Sequence, residues 1–382
     1  MFWFLSTTEL RACGRRCRHF SCLDLSEMKT NLMSATTNAV RKYKLKAAIL
    51  PRLNQLFDRL SPGWGFRRRF GFVDQWIRKI EQSGRKRLEH QFVTSLERST
   101  TEEGHKPLLG HVRYGPVRFQ LALSSREAIT TSWLTRAILL DNVWEPVTTR
   151  LFCELLNPGD VVLDVGANVG YYSILSGKLV GSQGKVVAFE PDAYSYRLLC
   201  ENIRSNGLTN VVLPMNRAVG ERAGGAKLFL SGKDSGDHRL FDPGDGRVES
   251  VEVECIRIDE FLLQSAQDLM ERIKLIKMDV QGFEVAAYKG MSRFLSQSKA
   301  QLITEYEPCT LAQAGTSAEE YLTLLDRYGY REFSFISWNP KQQIPERVTR
   351  ETLLSDPCTK DLHPRHGYLY CVKRSTDSQG SN

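Results

Sequence analysis

The chain has 382 residues, 41% of them apolar and 25% charged, an ordinary composition for a folded protein. That length holds one large domain with an appendage or two modest ones, with a core that needs no staple or metal. The net charge of +8 is uneven: residues 1–100 carry 20 Lys and Arg against 8 Asp and Glu. Attraction to nucleic acid or a membrane surface therefore belongs to the first quarter.

No apolar run approaches the roughly 20 residues needed to span a bilayer, and the opening MFWFL is too short for a secretory core. The nine cysteines are an odd number, and the later ones sit singly in apolar segments. That pattern reads as reduced thiols in a reducing, cytoplasmic compartment. Cys13, Cys17, His19 and Cys22 lack a paired C-x₂-C knuckle, so no metal site is expected.

Residues 1–40 show no sustained period and read as a disordered or targeting segment. Residues 1–30 are Arg- and Cys-rich, which fits an organelle transit peptide or a start placed ahead of Met28 or Met33. Residues 41–107 read as a basic helical extension with breaks at Ser61-Pro62-Gly63 and Gly84. Phe72, Trp76, Ile77 and Ile80 have helical spacing and read as a packing face.

A domain over 108–374 follows, with a polar tail at 375–382. It opens with a strand pair around Gly115-Pro116 and helical patterns over 125–140 and after Trp144-Glu145-Pro146. Strands over 161–165, 185–189 and 211–215 then alternate with helices over 172–180 and 193–205, which predicts an α/β, doubly wound, Rossmann-like parallel sheet. Residues 226–230 and 249–258 read as an antiparallel pair, joined by a glycine-bearing loop expected to be mobile. Strands over 273–279 and 301–306 follow, with helices from 284 and over 319–328. Residues 333–336 and 368–372 read as a closing antiparallel hairpin with a long connection.

VVLDVGANVGYYS (161–173) is a strand, a glycine turn and a helix start. Gly166 and Gly170 permit a tight turn, and Asn168 tolerates left-handed dihedrals. The spacing does not match the dinucleotide fingerprint G-x-G-x-x-G. Asp164, just before the turn, would repel a pyrophosphate but suits a ligand carrying an ammonium and a sulfonium. Glu190, 20 residues beyond Gly170, ends VVAFEPD where an acid accepts both hydroxyls of an adenosine ribose. Together the two acids fit S-adenosylmethionine better than a nucleotide phosphate.

The stretch from Trp144 to about Phe335 resembles the FkbM-type methyltransferases, a branch of the class I enzymes. WEP (144–146), LNPGDVVLDVGANVGYYS (156–173), VVAFEPD (186–192), NRAVG (216–220), IKMDVQGFE (276–284) and LITEYEP (302–308) carry the resemblance. It implies a seven-stranded sheet with an antiparallel final hairpin, and O-methylation of a hydroxyl on a sugar, glycan or secondary metabolite. By position, Asp164, Gly166, Asn168 and Gly170 correspond to the cofactor loop, Glu190 to the ribose acid, and Asn216 and Ala218 to residues flanking adenine. Gln281 stands where the family usually has Glu.

Methyl transfer needs orientation and a home for the acceptor's proton. Asp279, ending the fourth strand of the sheet, is the first candidate for general base, and Glu284 the second. Glu305 and Glu307 lie on the same rim, and His363 and His366 precede the last strand. Tyr171, Tyr172 and Trp144 are candidates for ring contacts with the sulfonium. Lys277 is read as facing the other side of its strand. An RNA methyltransferase using the basic N-terminus is the alternative, although MDVQG lacks the Asn/Asp-Pro-Pro-aromatic run used on exocyclic base nitrogens.

Overall fold

The computed structural model describes residues 107–124, 132–246, 249–338, 344–355 and 366–373. The chain divides into two compact units, Met1–Leu109 and Gly110–Asn382. The expectations for residues 1–40 and 41–106, for 125–131, for His363 and for the tail fall outside the described residues.

Two strands, β1 (Leu108–Tyr114) and β2 (Val117–Leu123), form a small sheet. Helices α1 (Trp133–Asp141) and α2 (Pro146–Leu155) follow, the latter with proline in its first turn, where no intrahelical N–H is needed. The doubly wound part then runs β3 (Val161–Val165), α3 (Tyr171–Val180), β4 (Lys185–Phe189), α4 (Ala193–Ser205) and β5 (Val212–Met215). Asp192 starts α4 by accepting a bond from the Ser195 amide at 2.7 Å, and Ser317 starts α10 (Ala318–Arg327) in the same way through Glu320.

The main sheet has the order β12-β11-β13-β10-β9-β3-β4-β5. Its later strands are β9 (Ile273–Met278), β10 (Gln301–Tyr306), β11 (Tyr330–Ser337), β12 (Glu346–Val348) and β13 (Gly367–Lys373). Strands β10, β9, β3, β4 and β5 are mutually parallel, and β13 runs antiparallel between β10 and β11. The expected parallel sheet and final antiparallel pair are therefore present. The expected count of seven is exceeded by β12, a three-residue edge strand too short to show an alternating pattern.

Burial on both faces explains the near-continuous apolar runs: Val161, Val162 and Leu163 are all 0% exposed. The predicted pair β7 (Gly224–Phe229) and β8 (Ser250–Ile256) forms as read, and β6 (Ala218–Val219) adds to β8 in parallel. Helix α7 (Glu284–Gly290) follows β9, and α9 (Pro308–Gln313) follows β10. Among the described residues no helix is long and apolar enough to cross a membrane.

Strand order reverses between β9 and β3: β4 and β5 lie to one side, β10 and β13 to the other. The carboxyl edge at such a reversal opens a crevice, because the connections from the two strands leave in opposite directions.

Candidate functional site at the strand reversal

Beyond β3 the backbone turns through Gly166, Asn168 and Gly170, with φ of 82°, 49° and 96°. The amides of Gly166 and Ala167 donate to the Phe189 carbonyl, tying the turn to the end of β4. A Cβ on Gly166 would lie 1.8 Å from the Asp279 carbonyl oxygen, so this glycine is required by the neighbouring strand end as well as by its φ. Asn202 of α4 donates to the Val169 carbonyl at 2.8 Å and also pairs with Ala122 of β2, holding the turn from behind.

Both acids singled out from the sequence border this turn. Asp164 is 1% exposed; one oxygen accepts from the Ser173 hydroxyl at 2.6 Å, and the other is buried with no partner. Burial raises its carboxyl above the usual range, offset in part by Lys277. Glu190 is 7% exposed and accepts from the amides of Asn168 (2.7 Å) and Asp192 (2.8 Å). Burial pushes it up to about 8. The Asn168 side-chain oxygen is also buried and partnerless.

Asn216 donates to the carbonyls of Glu190 and Pro191 at 2.9 and 3.0 Å, so it positions the segment carrying Glu190. Ala218 is 2% exposed within β6, opposite Cys255. Tyr171, expected as a ring contact for a cation, is 3% exposed and its hydroxyl accepts from the Trp144 amide.

At the end of β9 stands a second group of charges. Lys277 and Asp279 are two residues apart and so share a face of the strand, which corrects the reading of Lys277 as facing away. Lys277 is 2% exposed and donates to Asp279 at 2.9 Å. Its ammonium lies 5.0 Å from the Tyr172 ring centre and 5.2 Å from that of Tyr368, so the cation over Tyr172 is this lysine. Burial lowers its pKa, but Asp279, Asp164 and Glu145 together carry it above the usual lysine range.

Asp279 also accepts from the Tyr368 hydroxyl at 2.6 Å and from Gln281 at 2.8 Å. Burial raises its carboxyl, yet Lys277 and these donors outweigh burial and hold it below the usual value. A carboxylate with three donors and a depressed pKa is a weak proton acceptor, which counts against Asp279 as general base. Glu284 is 1% exposed and caps the turn before α7, accepting from the amides of Val280 (3.1 Å) and Gly282 (3.3 Å). Burial pushes it to about 7. Its bonds are those of a helix-start carboxylate, the structural role open to it from the sequence.

Gln281, at φ 53°, donates one amide group to Asp279 and to both oxygens of Glu305 (3.0 and 3.1 Å). Glu305 is 2% exposed, and burial followed by the charges of Asp279, Glu284 and Glu307 drives its carboxyl well up.

Further along the edge, Glu307 accepts from Thr310 and lies 4.0 Å from His366 Nδ1. Burial raises its carboxyl, but His366, Thr310 and Arg239 outweigh burial and keep it low. Trp338 has its ring 4.9 Å from that of His366 and 6.2 Å from Tyr368. The β7–β8 loop, expected to be mobile, reaches both turns. A Cβ on Gly236 would lie 3.7 Å from the Asn168 side chain, and one on Gly282 would lie 3.2 Å from Phe241. Asp234 of that loop accepts from its own Gly236 and from the Trp133 amide.

Three residues of the site were not identified from the sequence: Glu145, Lys277 and Tyr368. The usable signal for Lys277 was its i, i+2 relation to Asp279. Glu145 was visible only as part of WEP. Among the cysteines, Cys153, Cys200, Cys255 and Cys371 are free thiols. Cys309 is disulfide-bonded, so the expectation of reduced thiols throughout does not hold.

The fold is similar to that of methyltransferase FkbM from Methylobacillus flagellatus KT, at 17% identity and a TM-score of 0.33 over 62% of this chain and 53% of that one. It is also similar to Aeropyrum pernix fibrillarin, solved with S-adenosyl-L-methionine, at 15% identity and a TM-score of 0.33 over 59% and 73%. The methyltransferase sdnD of Sordaria araneosa is 27% identical over 34% of this chain and 60% of its own length, so this chain spans less than two thirds of that relative. Residues 164–332 match the methyltransferase FkbM domain, taking in the glycine turn, both flanking acids and the end of β9. That stretch of the chain, somewhat under half of it, is similar to the FkbM methyltransferase domain.

Proposed function

We propose that the protein is an S-adenosylmethionine-dependent methyltransferase that methylates a hydroxyl of a small molecule or glycan, such as a sugar or a secondary metabolite. The observation that carries the reading is the pair of buried acids, Asp164 and Glu190, on either side of a glycine turn at the strand reversal. A pyrophosphate there would meet two carboxyl groups. A ligand with a cationic amino-acid end and a ribose diol would instead satisfy the partnerless Asp164 oxygen and the open lone pairs of Glu190. Gly166, Asn168 and Gly170 shape the turn, Asn216 fixes the segment carrying Glu190, and Ala218 flanks the adenine side.

When bound, the cofactor supplies a methyl group already activated on a positively charged sulfur. The chain's own residues then have to hold the acceptor oxygen in line and take its proton. Lys277, Tyr368 and Gln281 keep Asp279 ionised and rigid beside the crevice, so its contribution is a fixed negative charge near the sulfonium. The acceptor lies along the β10–β13 rim, with its ring against Trp338. His366 receives the hydroxyl proton, and the Glu307 carboxylate steadies the imidazolium so formed.

Calorimetric titration with S-adenosylhomocysteine tests the reading: binding is expected, and tight binding of NAD with none of the homocysteine compound refutes it. The RNA alternative depends on residues 1–99, and no described residue favours it. Methylation of RNA by the full chain at modest salt would reinstate it.

A further inference from the structure

Around the Lys277 ammonium stand three carboxyl groups, Glu145, Asp164 and Asp279, and each contributes to its raised pKa. Lys277 donates to Asp279. The other two groups are each half-satisfied in the same way. One Glu145 oxygen accepts from the Tyr172 hydroxyl, and one Asp164 oxygen accepts from the Ser173 hydroxyl. The donors are consecutive residues of the first turn of α3. The second oxygen of each acid is buried and has no hydrogen-bond partner.

Two orphaned carboxylate oxygens in one place are costly, since a buried acceptor without a donor forfeits its hydration with no return. Glu145 carries a further cost: it holds φ at 42°, a conformation that non-glycine residues seldom adopt. Its backbone sits at the start of α2, whose Phe152 packs on Tyr172 with ring centres 4.6 Å apart. The side chain is thereby held against α3 rather than released to water.

We infer that Glu145, together with Asp164, receives the α-ammonium of the cofactor's amino-acid end. An ammonium offers three donors and one positive charge, which meets the two open oxygens and the charge that Lys277 leaves unbalanced. Burial pushes the Glu145 carboxyl up to about 7, as suits an acid that ionises fully when a cation arrives. Glu145 lies ahead of the 164–332 family match, so the amino-acid end is held from two separate parts of the chain. This inference rests on the cofactor reading above.

The test is calorimetry with three probes: S-adenosylhomocysteine, its deamino analogue, and 5′-methylthioadenosine, which lacks the amino-acid end. Glu145→Gln keeps the size of the side chain and an oxygen for Tyr172. The variant should bind S-adenosylhomocysteine tenfold or more weakly, with affinity for methylthioadenosine within twofold of the unaltered protein. Its affinity for the deamino analogue should also be unchanged. Equal losses for S-adenosylhomocysteine and methylthioadenosine would mean that Glu145 acts by packing α2, and would overturn the inference. Unchanged affinity for all three would overturn it as well and leave the open oxygen to the acceptor. If the unaltered protein binds neither nucleoside, the cofactor reading itself fails, and that outcome is separate from any effect of the variant.

Discussion

Gln281→Glu tests the most unusual residue of the site. The Gln281 amide is the donor that lets Asp279 and Glu305 stand close together. The substitution removes that donor and adds a third carboxyl to the two it bridged. The bond to the ionised Asp279 is lost at about 1.5–3 kcal/mol and that to the neutral Glu305 at about 0.5–1.5 kcal/mol, or roughly 2–4.5 kcal/mol in all. For a domain of this size that is a fall in melting temperature of about 5 °C or more. The introduced carboxyl is forced upward in pKa by its neighbours, so the folded state binds more protons than the unfolded state. The deficit should therefore be modest near pH 5 and largest at pH 8–9. Millimolar Mg²⁺ or Ca²⁺ should recover part of it, since three clustered carboxylates supply the oxygen ligands that such ions need. Thermal melts in EDTA across this pH range are the assay. An unchanged melting temperature at pH 8 would show that Gln281 does not bridge the two acids.

Other perturbations follow from the same geometry. Lys277→Met strips the cation from three buried acids and should cost about 3–5 kcal/mol near neutral pH. Asp279, held low by Lys277, contributes stability that is lost as pH falls through its folded value, so the deficit should shrink in acid urea melts. Glu190, raised to about 8, makes the cofactor-free protein less stable as pH climbs from about 4.5 through 8. Glu190→Gln should be the weaker protein at pH 6, with a gap that narrows by pH 9; a gap that widens would contradict the raised carboxyl. Gly166→Ala combines φ of 82° with a Cβ 1.8 Å from a carbonyl oxygen, and should cost at least ~3 kcal/mol by circular-dichroism melting.

The strands that build the crevice were legible because burial on both faces writes short runs dominated by apolar residues, as in 161–165, interrupted only by Asp164. The glycine turn and the acids at 164 and 190 were legible because their order along the chain is their order in space. What connects β13 to β9 was not. Tyr368 reaches Asp279 across 89 positions of sequence, through an antiparallel pairing of β13 with β10 that no local pattern announces. Lys277 was read as facing the other side of its strand. The strand's period of two, applied from Asp279, puts both side chains on one face, where the lysine is buried among carboxylates and aromatic rings. Glu145 lies on the connection before α2, and only its backbone conformation and the side chains around it reveal why an acid is there.

The position of β13 in the main sheet affects how the chain is made. Among the described strands, β11 joins the parallel part of the sheet only through β13, which lies between it and β10. A ribosome releases the chain from its N-terminal end, and domains generally fold as units. While the final strand is still being synthesised, β10 has an open edge and β11 has nowhere to dock. The hydroxyl of Tyr368 also reaches Asp279 only when that strand arrives. A nascent chain interrupted before residue 367 would therefore carry the whole glycine turn yet expose a bare strand edge. Such a product is suited to capture by chaperones or proteases.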